Sequence, residues 1–314
     1  MSGTATYAEV VASGIDGMSE ASSNGSTRKH TQQHNHDLAS ASNDDFPPDK
    51  PYRTSIKEAP VTFERIPYIP REGDPLIDPG TARAVVAASN DAPNGTEDGK
   101  WNEKHEGATV LQQHVIYWDP DADGVIWPQD TYSGIRAWGW SIPLSLIAAV
   151  IIHFGLSLPT SPTFPLPDPF FRISIPRIHK AKHGSDSMSY DNEGRFRPQN
   201  FEDFFSKYDR DNKGGLNIQD LLRAWNGQRM VFDFFGWTAT FLEWLATYLL
   251  IWPEDGIVRK EEARRVFDGS IFQYKADQYA EKQRKEKERK ERVRKEKQHQ
   301  KKLSGGSKIS LKLF

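Results

Sequence analysis

The sequence predicts a mainly α-helical protein built on an EF-hand pair, with an apolar monotopic membrane segment, a proline-rich knot and a disordered N-terminal tract. Three observations predict this fold. Apolar residues recur at helical spacing on both sides of an acidic loop that starts at Asp119. A second acidic loop with similar flanks starts at Asp209. Between them, from Ala137 to Pro167, the chain has no Asp, Glu, Lys or Arg.

Composition limits the chemistry that this chain can carry. Its 314 residues suffice for one large domain or two small ones. The formal net charge of -2 gives no reason to expect a nucleic-acid partner. The absence of cysteine excludes disulfides, thiolate nucleophiles, iron–sulfur clusters and cysteine zinc sites, so any metal must be bound by oxygen or imidazole. The first residues lack a basic segment followed by an apolar core, and we expect no cleaved secretory signal.

Changes in composition divide the chain into four parts. Residues 1–57 are rich in small polar side chains, and we expect them to be disordered, with His30, His34 and His36 solvated. Prolines predict an extended arm and loop over residues 58–110. The main domain spans 111–280, with an EF-hand at 111–136, a membrane segment at 137–169 and a second helical half at 170–280. Residues 281–314 form a basic tail, either a solvated helix or a disordered segment.

The loop at Asp119 has the ligand spacing of an EF-hand calcium loop. Such a loop places oxygen ligands at positions 1, 3, 5, 7, 9 and 12, with glycine at position 6. The glycine here is Gly124, and Ile126 at position 8 is the apolar residue that pairs with a partner loop. A plain acidic turn is the alternative. The expected calcium ligands are Asp119, Asp121, Asp123, the Val125 carbonyl and Asp130. Because Asp130 stands where glutamate is usual, we expect weaker discrimination against magnesium.

The second acidic loop is a poor copy of the first. Asp209, Asp211 and Gly214 keep positions 1, 3 and 6, but Lys213 occupies position 5. An ammonium group donates hydrogen bonds and repels a cation. We therefore expect this loop to bind no ion and to serve as the structural partner of the first loop.

The charge-free stretch is the predicted membrane segment. Its core, Ile142 to Leu158, contains His153 as its one ionisable residue. A spanning helix needs about 20 apolar residues, and this run is at or just under that limit. The prolines from Pro159 to Pro169 exclude a second spanning limb, because each removes a backbone donor. The alternatives are a buried core helix and a segment that enters one leaflet without crossing, and we favour the second.

Three histidines flank this region. His114 lies about one helical turn before Asp119, and His179 and His183 are four residues apart. Histidines with such spacing are more often packed or surface residues than metal ligands. Spacing alone does not decide whether these histidines are metal ligands or packed or surface residues.

Several motifs in order resemble the caleosin family. They are Leu-Gln-Gln-His-Val before the calcium loop, an apolar segment running into prolines, and His-Lys-Ala-Lys-His-Gly-Ser-Asp, followed by Tyr-Asp-Asn-Glu-Gly-Arg-Phe and Phe-Asp-Gly-Ser-Ile-Phe. The resemblance covers roughly Ala59 to Tyr279. Caleosins are calcium-binding proteins of lipid droplets and related membranes, and many are haem peroxygenases. The resemblance implies that His114 and His183 are the catalytic, haem-binding pair, with His179 in a supporting place.

From this resemblance we expect haem b and Ca²⁺ as cofactors. The expected reaction uses a fatty-acid hydroperoxide to epoxidise or hydroxylate an unsaturated fatty acid. The expected location is the phospholipid monolayer of lipid droplets or the endoplasmic reticulum membrane, entered from one side. The alternative function is a calcium-responsive structural coat protein of lipid droplets, in which the histidines have no catalytic role.

Overall fold

A computed structural model describes residues 67–310 of the chain, with side chains up to residue 300. These residues belong to one compact unit, Tyr52–Phe314. The tract predicted to be disordered, residues 1–57 with its three histidines, lies outside the described residues, as does the start of the predicted arm.

The described chain is mainly helical, as predicted. Up to residue 181 its elements are α1 (Trp101–Lys104), α2 (Val110–Ile116), β1 (Val125–Ile126), α3 (Pro128–Ala137), α4 (Ile142–Thr160), β2 (Ile173–Ser174) and the 3-10 helix Ile175–Ala181. A short 3-10 turn, Asp98–Lys100, precedes α1. The elements that follow are α5 (Pro198–Tyr208), β3 (Gly215–Leu216), α6 (Ile218–Gly227), α7 (Phe234–Ile251), β4 (Val258–Arg259), α8 (Lys260–Phe267) and α9 (Ser270–Ser310).

Local sequence sets several helix starts. Thr109 and Gln112 form a capping box at the start of α2, and Asn217 and Asp220 form another at α6. Pro128 occupies the first turn of α3, where its missing N–H would have no intrahelical partner. The basic tail continues as the exposed helix α9, so of the two alternatives for the tail the helical one holds as far as Ser310.

The strand pairing differs from the sequence-based expectation. β1 of the first acidic loop pairs with β2, in the register Val125 to Ser174. β3 of the second loop pairs with β4, in the register Gly215 to Arg259. The two acidic loops are therefore not partners of each other, and that prediction was wrong. Each loop instead pairs with a two-residue strand, β2 after the proline-rich loop and β4 after the turn Glu254-Asp255-Gly256, and neither was expected as a partner from the sequence.

The hydrophobic core has two parts. The larger part is aromatic and lies mainly in the second helical half, where Phe196, Phe201, Phe204 and Phe205 are buried. The smaller part is aliphatic and holds the first loop, its partner strand and α4 together. It consists of Val115, Ile126, Ile173, Ile175 and Ile178, with Ile152 and Leu156 of α4 packed against it.

Helix α4 buries small or polar residues and exposes large apolar ones, the reverse of a core helix in a soluble protein. Its buried positions are small or polar: Ser145, Ala149, His153, Ser157 and Thr160. Its large apolar residues are exposed, among them Ile147, Val150 and Phe154. A core helix buries its apolar stripe, so the buried-core alternative for this segment was wrong.

Helix α7 repeats this inverted pattern. Gly236, Thr240 and Thr247 are buried, whereas Phe234, Phe241 and Leu245 are exposed. Within the described residues, α4 and α7 are the helices long and apolar enough to cross a membrane, judged by length and composition alone. The sequence analysis predicted a membrane segment at α4 and described α7 only as an apolar, aromatic helix.

A buried ion pair ties the N-terminal arm to the end of the domain. One nitrogen of the Arg264 guanidinium lies 2.9 Å from Asp268 Oδ2, and both side chains are almost fully buried. Thr96 donates to the same carboxylate at 2.5 Å, and Arg264 donates to the Ala87 carbonyl at 3.0 Å. The charged pair is thus satisfied by the arm as well as by its own helix, which fixes the arm across α8.

We expect Arg264→Ala to destabilise the protein by about 3–5 kcal/mol, because it leaves the Asp268 carboxylate buried without a counter-charge. Arg289→Ala is the matched control, since Arg289 pairs with Glu286 on the exposed surface of α9 and its loss should not measurably change stability. Urea denaturation followed by circular dichroism measures both. Equal effects of the two substitutions would contradict the structural role of the buried pair.

Candidate functional site

The first acidic loop brings three carboxylates together. One oxygen from each of Asp119, Asp121 and Asp123 lies within 4.8 Å of the others. Asp119 accepts hydrogen bonds from the backbone N–H groups of Asp123 at 3.2 Å and Gly124 at 2.8 Å, which curl the loop around it. Gly124 has a φ of 81°, a conformation that favours glycine and makes the sharp turn possible.

The charge on this loop is poorly compensated by the protein itself. Burial, together with the nearby carboxyl groups of Asp121 and Asp123, raises the pKa of Asp119 above its usual value. Like charges at short range disfavour the ionised form, and a divalent cation relieves that repulsion. The arrangement of hard oxygen ligands is therefore the one that Ca²⁺ and Mg²⁺ use.

The other two predicted calcium ligands, Asp130 and the Val125 carbonyl, are placed differently from the three clustered carboxylates. Asp130 is not in the three-carboxylate cluster, and its Oδ2 accepts from the Trp127 N–H at 2.9 Å, which caps α3. The cap uses one of its two oxygens. Val125 lies in β1 opposite Ser174, so its backbone is fixed by the strand pair. The structure thus assembles Asp119, Asp121 and Asp123 directly and gives Asp130 a role at the helix start.

In the second acidic loop an ammonium group stands among the carboxylates. Lys213 Nζ lies 3.2 Å from Asp209 Oδ1 and 2.7 Å from Asp220 Oδ2, and it also contacts Asp211. Burial alone would lower the pKa of Lys213, but its hydrogen bonds to the three carboxylates raise it overall. The lysine side chain therefore supplies the positive charge that an ion would supply in a working loop.

His114 is held in a defined orientation by the second half of the chain. Its Nδ1 lies 2.7 Å from the Val266 carbonyl oxygen, and its ring packs edge-on against Phe272. A carbonyl only accepts, so Nδ1 carries the proton and Nε2 of the neutral ring keeps its lone pair. Burial lowers the pKa of His114, despite the opposing hydrogen bond to Val266, and this favours the neutral form.

His183 lies against helix α7. Its Nε2 is 3.4 Å from Glu243 Oε1, and its ring packs edge-on against Phe235. Its Nδ1 is buried and has no hydrogen-bond partner. Burial lowers the pKa of His183, but the hydrogen bond to Glu243 and the charges of Glu243, Asp186 and Asp233 outweigh it, so the pKa is raised overall.

Glu243 connects the two histidines electrostatically. Its negative charge acts to raise the pKa of His183 and also that of His114. Helix α2, which carries His114, packs against the 3-10 helix that leads to His183. The structure therefore brings the two elements that carry the predicted histidines together, while Glu243 itself contacts only His183 of the two.

The other two histidines of this region have different surroundings. His179 lies half-buried in the 3-10 helix, where its carbonyl accepts from the Lys182 N–H. His153 is buried on the inward face of α4 and joins Thr131 Oγ1 at 2.8 Å to the Phe171 carbonyl at 2.6 Å. Both nitrogens of His153 are thus engaged, which gives it a structural role between α3, α4 and the proline-rich loop.

The family model described as caleosin related protein matches residues 106–276. The chain belongs to the caleosin family. A curated relative, the peroxygenase of Lilium longiflorum, is 39% identical over 70% of this chain and 90% of its own length. "Probable peroxygenase 4" of Arabidopsis thaliana is 36% identical over 54% of this chain and 86% of its own length.

A third relative of this caleosin carries a different name. The "probable inactive peroxygenase-like protein" of Arabidopsis thaliana is 31% identical over 45% of this chain and 66% of its own length. No solved structure matches the chain. The family is therefore shown by sequence, while the particular site residues of this caleosin rest on its own geometry.

Haem, the cofactor that caleosin membership implies, is compatible with the donor atoms found here. His114 keeps an unprotonated Nε2, because Val266 fixes the proton on Nδ1. His183 offers a buried nitrogen without a hydrogen-bond partner. Imidazole nitrogens of this kind are usual axial ligands of haem iron.

Sequence reasoning missed Glu243. It is the one charged residue in Phe234–Ile251, an otherwise apolar helix. By helical spacing it falls on the inward face with Gly236, Thr240 and Thr247, yet its side chain is 61% exposed. A lone ionisable residue in such a helix signals function, and this signal was readable from the sequence.

We expect calorimetry on this caleosin to find one calcium site, which Asp119→Ala removes. The reason is that Asp119 is the carboxylate around which the other two and the backbone N–H groups are arranged. An Asp119→Ala protein that still binds one calcium ion would contradict this assignment.

The second loop offers a matched change in the opposite direction. Lys213→Asn removes the ammonium group and leaves three carboxylates and an amide oxygen, so we expect the stoichiometry to rise from one calcium ion to two. The double variant Asp119→Ala/Lys213→Asn should then bind one ion, at the second loop. An unchanged stoichiometry in Lys213→Asn would show that the lysine is not what keeps calcium out.

We expect the His183 imidazole in the haem-free protein to titrate above the ordinary value near 6.5. Glu243→Gln should move its pKa below that value, because the substitution removes the stabilising charge and leaves the effect of burial. Nitrogen-15 NMR of the imidazole measures the pKa in both proteins. Glu288→Gln, on the exposed helix α9, is the control and should leave the titration unchanged; a His183 pKa that Glu243→Gln does not lower would contradict the pairing.

Proposed function

We propose that this caleosin is a calcium-binding, haem-dependent peroxygenase that uses fatty-acid hydroperoxides to epoxidise or hydroxylate unsaturated lipids. Its place of action would be the surface of lipid droplets or the endoplasmic reticulum. The peroxygenase class follows from the caleosin family and from the relatives named peroxygenase. The cofactors, substrates and location are the proposal.

The observation that supports the proposal is the state of the two histidine side chains. One imidazole is fixed with its proton on Nδ1, and the other has a buried nitrogen without a hydrogen-bond partner. A packed histidine usually has its buried nitrogens hydrogen-bonded, so an unpartnered buried nitrogen favours a ligand role. His114 and His183 would hold haem b.

When bound, haem supplies the transfer of one oxygen atom from a hydroperoxide to an unsaturated substrate. The chain's own residues orient and tune that cofactor. The Val266 carbonyl keeps the proton of His114 on Nδ1, so Nε2 stays available. Glu243 would fix the His183 ring by accepting a hydrogen bond from Nε2–H, so that the neutral ring keeps a lone pair on its buried Nδ1. The neighbouring apolar face of α7 would bind a lipid substrate and exclude water.

Calcium binding would act on the same part of the chain. We propose that Asp119, Asp121, Asp123, the Val125 carbonyl and Asp130 form a single working EF-hand site, with the Asp209 loop as its ion-free counterpart. His114 and Asp119 are five residues apart, on α2 and at its exit. An ion that rigidifies this loop would therefore also stabilise the end of the helix that carries His114.

Attachment to lipid is proposed to occur through α4. The inverted polarity of this helix supports it, since its apolar side chains point outward and its polar ones inward. The chain from Ser161 to Arg172 is non-helical and rich in proline, so it cannot form a second spanning limb. We infer a monotopic arrangement in which both ends of the segment stay on the cytoplasmic side of a monolayer or membrane.

A second candidate function is a calcium-responsive coat protein of lipid droplets. The exposed apolar face of α4 favours it as well, because a coat needs only that face and the calcium loop. It leaves the histidine pair and Glu243 without a role. A relative named a probable inactive peroxygenase-like protein supports keeping a function without catalysis as the second candidate.

We expect His114→Val and His183→Val each to abolish Soret absorption and hydroperoxide-dependent epoxidation of an unsaturated fatty acid, because each removes a haem ligand. His299→Val, in the exposed part of α9, is the control and should change neither. All three variants should still float with phosphatidylcholine vesicles, since α4 is untouched.

Two results would contradict the proposal. Full activity in His114→Val would reject the assignment of that ligand. A wild-type protein that takes up no haem when haem is supplied during expression would favour the coat protein instead.

A further inference from the structure

We infer that α7 and the loop before it form a second lipid-inserting surface, separate in sequence from α4 and continuous with it in space. The partner is the phospholipid surface itself. This inference rests on the proposed attachment of α4 to lipid and extends it to the helix that carries Glu243.

The tip of this surface is the segment Met230–Phe235, the end of the loop together with the first two residues of α7, which we call the aromatic loop. Its apolar side chains are exposed, with Val231 at 79% and Phe232 at 80%. A cluster of large exposed apolar side chains marks an interaction surface, whereas single ones do not. The one charged residue in the loop, Asp233, points away from the tip and is fully engaged in hydrogen bonds.

Those hydrogen bonds hold the aromatic loop outward. Asp233 Oδ2 accepts from the backbone N–H and the hydroxyl of Ser185 at 2.8 and 2.6 Å, and its Oδ1 caps α7 through the Gly236 N–H at 3.0 Å. The Met230 N–H donates to the Ser185 hydroxyl at 3.0 Å. Phe232 has a φ of 60°, a strained conformation for an aromatic residue. These hydrogen bonds hold the base of the aromatic loop in place, and its apolar tip is not free to fold back onto the core.

The same surface continues along α7 and onto α4. Phe234, Phe241 and Leu245 recur on one side of α7 at helical spacing and are exposed. The inward side of α7 carries small or polar residues as far as Thr247, as in α4. The two helices approach each other at the start of α7, where a Cβ on Gly155 of α4 would lie 3.6 Å from the Phe235 ring. Through this contact the apolar sides of both helices can meet the same lipid surface.

The border of this face has the composition of a membrane–water interface. The Arg229 guanidinium lies 5.2 Å from the Trp225 ring and 5.6 Å from the Trp237 ring. Tryptophan indoles and cations with long stems are favoured at the level of lipid headgroups. An Arg–Trp border around an aromatic tip fits a lipid surface better than a protein partner.

The test uses the full-length protein and benefits from the absence of native cysteine. Single cysteines replace Phe232 in the aromatic loop, Phe154 in α4 and Ile77 in the arm, all of which are highly exposed. Each is labelled with the environment-sensitive fluorophore NBD and mixed with phosphatidylcholine vesicles, with or without spin-labelled lipid. We expect a blue shift at positions 232 and 154 that spin-labelled lipid quenches, and neither effect at position 77.

The outcomes separate this inference from the proposed function. A response at position 154 without one at 232 overturns the second surface and leaves the attachment through α4 intact. No response at either position overturns both. A blue shift at 232 that grows with protein concentration in the absence of vesicles means that a second copy of the chain covers this face, which also overturns the inference.

A substitution pair provides an independent measurement. Val231→Asp/Phe232→Asp should lower partition into phosphatidylcholine vesicles by at least about tenfold, because burying a single large apolar side chain is worth more than that factor. Ile77→Asp/Val293→Asp adds the same charges at exposed positions elsewhere and should leave partition unchanged. Circular dichroism verifies the fold of both. Equal partition of the two variants would overturn the inference.

Discussion

The contact between the α8–α9 turn and helix α2 is the constraint on which the site depends. Gly269 lies in this turn with a φ of 75°, and a Cβ there would stand 2.5 Å from the Gln113 carbonyl oxygen and 2.9 Å from the His114 Cα. One residue type fits such an approach. Directly before it, Asp268 is neutralised by Arg264 inside the protein. The end of the domain is thereby locked onto the helix that bears His114, and the Val266 carbonyl meets its imidazole. Residues about 150 positions away in the chain set the orientation of this histidine.

Much of the fold could be predicted from the sequence because its signals are local. Helical spacing located α2, α3 and α5, and the aspartates around Gly124 located the first acidic loop. The strand pairing could not be read in this way. β2 and β4 are two residues each, too short to carry a pattern of their own, so their choice of partner is decided by packing across the domain. The predicted pairing of the two acidic loops failed for that reason.

The candidate site could be predicted only in part from the sequence, because some of the groups that hold its histidines are recognised only in the fold. His114 and His183 came from the resemblance to caleosins, and the structure adds the groups that hold them, a backbone carbonyl and Glu243. A backbone carbonyl leaves no trace in the sequence. Glu243 did leave one, as a single charge in an apolar helix, but the direction in which each side of that helix faces emerges only from the fold. The inverted polarity of α4 and α7 likewise depends on knowing which positions are buried.

These two helices also explain how polar groups are accommodated on the inner side of an apolar layer. Some polar side chains on the inward faces form hydrogen bonds with other parts of the protein: His153 with Thr131, and Thr240 with the Ser185 carbonyl. Small residues let each helix approach its neighbours closely, while the large apolar groups remain outside. In water this arrangement would expose costly apolar area. In the proposed attachment to lipid, an apolar phase would cover this area.

Under the proposed function, Lys213 has a consequence for how the protein would respond to a change in calcium concentration. In a pair of loops that both bind ions, occupancy of one can alter the affinity of the other through their shared strands. Here the lysine charge is a permanent part of the second loop, and the first loop shares its strand with β2 instead. A site of this kind has no second ion to couple with. Its saturation curve should be hyperbolic, so that occupancy of the site would rise gradually with calcium concentration and would not switch at a threshold.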